Sequence, residues 1–180
     1  MVCDRCISVV RQQLESQHYT INKITLGKVE IAQDIYEPRL TDLRLGLAAL
    51  GFELINNEKE QLVESIKNVI ITKIHHSDLS ELQISYSQLI SKNLDKEYAY
   101  LSRVFSEAEQ TTIEQYIIQQ RIEKVKELLE YEEDNLNEIA WKMGYSSSAH
   151  LSAQFKKVTG LSPLKYKKTR SGERKPLDNI

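Results

Sequence analysis

Long apolar runs are missing from this 180-residue chain. The densest one, Val69–Ile74, is broken by Thr72 and Lys73, far short of the ~20 residues a membrane-spanning helix needs, so no membrane is expected among its partners. Cysteine is scarce as well: Cys3 and Cys6 alone cannot build the disulfide framework of a small secreted protein. No secretory leader pattern opens the chain, and the expected address is the cytoplasm. With Gly at 6 and Pro at 3, fibrous and dinucleotide-binding architectures are excluded. Gly-x-Ser-x-Gly, a phosphate loop and His-Glu-x-x-His are all absent, and the acidic run Glu130–Asp134 reads as a solvated connector, so no enzyme is expected. What remains, 28% charged and 41% hydrophobic, is the profile of a helix-rich globular chain.

The net charge of −2 conceals a local imbalance. Residues 105–135 hold three basic residues against nine acidic ones, whereas from Leu136 to Ile180 nine basic residues face three acidic ones. A locally basic region is the electrostatic footprint of a polyanion partner, although basic ends also serve merely to solubilise.

Two organisations follow one another along the chain. In residues 1–55, Ile7, Val10 and Leu14 recur at helical spacing and predict a helix from Cys6 to Ser16. Tyr19–Leu26 and Val29–Ile31 are β-branched and alternating, with Gly27-Lys28 as a hairpin turn. Leu40, Leu43, Leu47 and Leu50 line a second helix, with Thr41 or Asp42 as its cap and Gly51 past its end, and Phe52–Ile55 reads as a last strand. This is a small α+β domain. Residues 56–77 read as a connecting helix carrying Leu62, Ile66, Val69, Ile70 and Ile74. Residues 78–168 read as wholly helical, with helices at Ser85–Lys92, Glu97–Glu107, Thr112–Glu130, Leu136–Met143, Ser147–Thr159 and Pro163–Lys168. Residues 169–180 read as a basic, flexible tail.

Two helix pairs in the C-terminal half look alike. In the second, Ile139, Ala140 and Met143 form one apolar face and Gly144 stands where a sharp turn needs φ > 0. Ser146 or Ser147 can cap the next helix, whose Leu151, Phe155 and Val158 point inward. That is the requirement of a helix-turn-helix, in which a first helix braces a second one that enters the major groove. A rotation of ~100° per residue then turns Ala149, Ser152, Ala153 and Lys156 outward, with Ser148 and Lys157 beside them. Short side chains let the backbone approach DNA, while Lys156, Lys157, Lys165, Lys167 and Lys168 can meet phosphates. His150 flanks this face and reads as ordinary surface.

The first pair repeats the layout. Leu89, Ile90 and Leu94 face inward, Asp95 occupies the turn, and Leu101, Val104 and Phe105 form the buried row. Ala99, Ser102, Arg103 and Ser106 face outward. Arg103 is the one long planar donor on either face and suits guanine O6/N7; the competing reading makes it an ion-pair partner of Glu107.

Two helix-turn-helix units bridged by a long helix, closing on Ile139-Ala140, Gly144-Tyr145, Phe155-Lys156-Lys157, Thr159-Gly160, Ser162-Pro163 and Tyr166, resemble the DNA-binding domain of the AraC/XylS family of bacterial transcription regulators. The resemblance covers Ser80 to Lys168. It implies recognition helices in successive major grooves, double-stranded DNA and RNA polymerase as partners, a homodimer as a further candidate, and control of transcription. The first unit departs from the family pattern: Ser91, Asp95 and Glu97 stand where Ala, Gly and a Ser cap are usual.

The N-terminal residues Met1-Val2-Cys3-Asp4-Arg5-Cys6, with Leu50-Gly51-Phe52, resemble a heavy-metal-associated domain, which implies a ferredoxin-like fold here lacking its first strand. Cys3 and Cys6 admit three readings: a site for Cu(I) or another soft metal ion, inert thiols left by the fold, or a dithiol redox switch. Zinc held jointly with His75 and His76 does not fit the spacing. The overall expectation is a sequence-specific regulator whose N-terminal domain receives a signal. The alternative is a metal-handling or protein-interaction module whose helical half does not bind DNA.

Overall fold

The computed structural model describes residues 1–55, 57–77, 84–131, 133–169 and 174–177. Asn56, the start of the helical half at residues 78–83, Glu132 of the acidic run, and 170–173 and 178–180 of the expected tail lie outside them. The chain divides into two compact units, Met1–Asn68 and Val69–Ile180.

The first unit begins with α1 (Asp4–Ser16), β1 (Ile21–Thr25), β2 (Lys28–Ile31) and α2 (Glu37–Ala48). The antiparallel strands pair Thr25 with Lys28 and Ile21 with Ile31, so the turn is Leu26-Gly27, one residue earlier than the composition suggested. Gly27 takes φ +76, a left-handed conformation that costs glycine nothing. Val10, Leu14, Tyr19, Leu43 and Leu47 form the core, with Met1, Ile24, Phe52 and Leu54 among those packed on it.

Three expectations for this unit need correction. α2 starts before Thr41 and Asp42: its N-cap is Tyr36, without a side-chain cap, and Pro38 in the first turn supplies the helical φ. Leu50 lies beyond the helix and is exposed. Among the described residues β1 and β2 are the only strands, so Phe52–Ile55 does not complete a ferredoxin-like sheet. The cause in the last case is local: Gly51 at φ +78 swings the Phe52 N–H back to the Leu47 carbonyl at 2.9 Å. That amide closes the helix and cannot start a ladder.

The connecting helix α3 (Glu58–His75) has residues in both units. Ile66, Ile70 and Ile74 are buried as expected, but Val63 and Ile71 are buried as well, whereas Leu62 and Val69 are half-buried.

The second unit continues with α4 (Tyr86–Leu94), α5 (Tyr98–Glu109), α6 (Ile113–Tyr131), α7 (Leu136–Lys142), α8 (Ser148–Thr159) and α9 (Pro163–Thr169). Its two halves repeat at a spacing of fifty residues. Ser85 and Asn135 are N-caps with full capping boxes closed by Gln88 and Glu138. Leu101 and Phe105 match Leu151 and Phe155, all wholly buried. Phe105 stands edge-on to Tyr116 and Phe155 edge-on to Tyr166, each at 5.5 Å between centroids. Gln110 and Gly160 both end a helix in the left-handed region. The C-terminal stretch expected to be flexible is in part held: Arg174 Nη2 lies 2.7 Å from Glu127 Oε2, the Lys175 amide donates to Glu123 Oε2, and Gln120 Nε2 donates to the Leu177 carbonyl. Glu127 and Glu130 of α6 thus pair with Arg174.

Candidate nucleic-acid interface

Each half of the repeat props an exposed helix against a turn. In the second half, Gly144 takes φ +67 after α7, and Ser147 caps α8 by accepting from the His150 amide at 3.1 Å. Gly144→Ala is expected to cost about 1–2 kcal/mol, because its Cβ would meet only Arg121 Nη2 at an ordinary 3.7 Å and the penalty is that of an L-residue in the left-handed region. Urea midpoints test this, with Gly144→Asn expected to lose less.

Arg121 is a residue that sequence reasoning missed. Its Nη2 donates to the Met143 carbonyl, and its guanidinium carbon lies 4.1 Å from the centre of the Tyr145 ring. One side chain from α6 therefore braces the turn of the second unit. The signal was available: Arg121 stands on the row Ile113, Ile117, Val125, and a long cation on a buried helical stripe calls for an internal acceptor. Tyr86, close to the same guanidinium, is pushed up to about 12 by burial, against the opposing pull of Arg121.

On α8, Ala149 and Ala153 are exposed, Ser148 and Ser152 half-buried, and Lys156 and Lys157 exposed in the last turn, where cations also suit the helix dipole. Val158, expected inward, is 42% exposed; at i+3 from Phe155 it rotates past the edge of the apolar stripe. It borders instead a shallow groove of about 230 Å³ lined by Gln115, Ile118, Gln119, Gln154 and Lys157. Gln154, the longest neutral polar side chain on α8, accepts from the Tyr145 hydroxyl at 2.6 Å and is half-buried. His150 is exposed, with Nδ1 3.2 Å from Ser146 Oγ.

In the first half, Asp95 takes the turn at φ 51 and Glu97 stands at the N-cap of α5 without a side-chain cap. The start of α5 is held another way: Tyr98 OH donates to Glu114 Oε1 on α6, and that hydrogen bond keeps the Glu114 carboxyl below its ordinary value. Ala99 and Arg103 are exposed, Ser102 and Ser106 half-buried. The Arg103 guanidinium carbon lies 5.8 Å and Lys96 Nζ 5.9 Å from the centre of the Tyr100 ring, so an exposed aromatic that the sequence reading passed over has two cations within reach of its ring. Both exposed helices pack on α6, a 19-residue helix about 28 Å long.

In the N-terminal unit, Cys3 Sγ and Cys6 Sγ are 3.5 Å apart at the start of α1. Burial alone would push the Cys6 thiol up, but hydrogen bonds from the backbone at Val2 and Cys3 and from the Cys3 side chain outweigh it and hold the thiol below its ordinary value. Among the described residues no three His, Cys, Asp or Glu side chains are grouped as a metal would require.

Comparison with known proteins bears on the C-terminal half. A helix-turn-helix domain family matches residues 90–169. The Msm operon regulatory protein of Streptococcus mutans is 33% identical over 125 residues, 68% of this chain and 44% of that protein. The C-terminal domain of AraT, a response regulator from Geobacillus stearothermophilus, superposes with a TM-score of 0.54 at 25% identity, covering 67% of this chain and 94% of that one. A transcriptional regulator of Chromobacterium violaceum, described as containing an AraC-type DNA-binding domain, shares the fold at 18% identity, with a TM-score of 0.51 over 59% of this chain and 92% of its own. The C-terminal unit has the AraC-type helix-turn-helix fold. The chain spans about half the length of the curated relatives it matches. The matches lend no support to a heavy-metal-associated domain in the N-terminal unit. Among the described residues no helix is long and apolar enough to cross a membrane.

Proposed function

We propose that this protein is a sequence-specific DNA-binding regulator of transcription, with α5 and α8 docked in successive major grooves of one duplex. One observation supports it above the others: two exposed helices, each faced with small residues and cations, are repeated fifty residues apart and pack on one long helix, α6. Arg103 reads a base, most suitably guanine, while Lys156 and Lys157 meet phosphates and Ala149 and Ala153 allow close approach. RNA polymerase is the partner through which such binding changes transcription, and the N-terminal unit supplies a signal input.

The test is an electrophoretic shift with promoter-upstream fragments over a salt series. Binding should weaken steeply as salt rises, since each neutralised phosphate releases counterions. Arg103→Ala should lose about 1–3 kcal/mol of preference at one base pair and keep the others, whereas Lys156→Ala should weaken every sequence alike and lower the salt slope by about one. Equal losses on all sequences for Arg103→Ala would end its reading role, and no bound fragment at low salt would end the proposal.

A further inference from the structure

We propose that Cys3 and Cys6 form a reversible dithiol–disulfide pair, so that the start of α1 registers the thiol redox state around the N-terminal unit. The two sulfurs stand 3.5 Å apart, both half-buried, one on the N-cap residue and the other one turn on. Closing to the ~2.05 Å of a disulfide brings the sulfurs about 1.5 Å nearer, and Cys3, an N-cap residue with extended backbone, lies outside the helical turns and can supply that movement. The Ile7 amide already donates to the Cys3 carbonyl at 3.2 Å, which fixes the turn between them. A two-coordinate soft metal would instead hold its sulfurs on opposite sides, twice a metal–sulfur bond of ~2.3 Å apart, and the pair would have to open.

The oxidant is a low-molecular-weight disulfide such as glutathione disulfide. The Cys6 thiolate attacks one of its sulfurs, forming a mixed disulfide and expelling one thiolate. Cys3, giving up its proton to solvent, then attacks Cys6 Sγ and expels the second. Overall one protein dithiol and one small disulfide become one protein disulfide and two small thiols, and excess small thiol reverses both steps.

The full chain is equilibrated in glutathione buffers of increasing oxidised fraction, acid-quenched, alkylated and weighed by mass spectrometry. Wild type should lose both alkylatable thiols together, with the loss of two hydrogens and no glutathione retained, and recover both on reduction. Cys3→Ser should stop at the glutathione adduct of Cys6; serine is a good N-cap, so this variant keeps its helix. The proposal is overturned if wild type retains glutathione on either cysteine or stays fully alkylatable in oxidised buffer. It is equally overturned if the reduced chain takes up one Cu(I) while the metal-free chain forms no disulfide. Neither result depends on DNA, so the regulator reading stands or falls separately.

Discussion

Phe155→Ala is expected to destabilise the C-terminal unit by about 3–5 kcal/mol, a large share of the stability of a domain this size. Phe155 is wholly buried beneath α8, with Tyr166 of α9 edge-on to it and Leu151 one turn before it. Truncation removes the transfer energy of the ring, opens a cavity, and frees Tyr166, whose hydroxyl donates to Glu130 Oε1 at 3.0 Å and so joins α9 to α6. Urea unfolding followed by far-ultraviolet circular dichroism reads the loss, and Phe155→Leu, which keeps most of the volume, should lose much less. Because the unit repeats at fifty residues, Phe105→Ala, edge-on to Tyr116, should cost a similar amount. DNA binding should fall on all sequences in both variants, since each ring props an entire exposed helix. A wild-type urea midpoint for Phe155→Ala would mean that α8 is not held by this ring.

The contrast with Arg103 separates what the sequence makes readable from what it does not. The second helix-turn-helix unit announces itself through residues whose backbone needs are narrow: Gly144 and Gly160 in the left-handed region, Ser147 at a cap, Pro163 at a first helical position. Each confines φ or supplies one hydrogen bond, and so carries its own physical signature. Tertiary braces carry less: Arg121 stands out as a long cation on an apolar row, but its acceptor is not specified until the helices are packed. Arg121 on Met143, Tyr98 on Glu114 and Tyr145 on Gln154 join residues nine to twenty-two positions apart, and nothing in their spacing alone selects these partners. Tyr100 was overlooked for a related reason: a tyrosine at 39% exposure fits either an interior edge or an outward face, and only the placing of Lys96 and Arg103 decides.

The N-terminal unit shows the converse. Phe52 and Leu54 alternate as a strand would and do pack on the core, yet they form no ladder, because the end of α2 has taken the Phe52 amide. Periodicity reports which side chains go inward and is silent on where the backbone hydrogen bonds go. The same limit explains α2, whose true start at Glu37 has no side-chain cap to read and rests on Pro38.

Lowering the pH from about 7 to about 5 is expected to cost the C-terminal unit about 2 kcal/mol through His75 alone, at about 1.4 kcal/mol for each unit that separates its folded and unfolded titrations. Its Nε2 lies 2.9 Å from Gln120 Oε1, and Gln120 in turn donates to the Tyr116 hydroxyl and to the Leu177 carbonyl. Burial pushes His75 down from 6.5 to about 4; the Gln120 hydrogen bond and Glu127 resist, whereas Lys124 and His76 add to the fall. The neutral ring is thus favoured in the folded chain, so between those two values the unfolded chain binds the extra proton and stability rises with pH. The contribution is complete above the unfolded value and is lost as the pH drops toward the folded one. Glu114 and Glu127, held below their ordinary value of 4.5, act in the same direction but lower on the scale, which leaves the range above about pH 5 to histidine. His75→Gln keeps a polar partner for Gln120 and cannot titrate, so urea midpoints measured across that range should flatten relative to wild type. An unchanged slope would show that His75 takes up its proton alike in the folded and the unfolded chain, its Nε2–H donating to Gln120 Oε1 in either charge state.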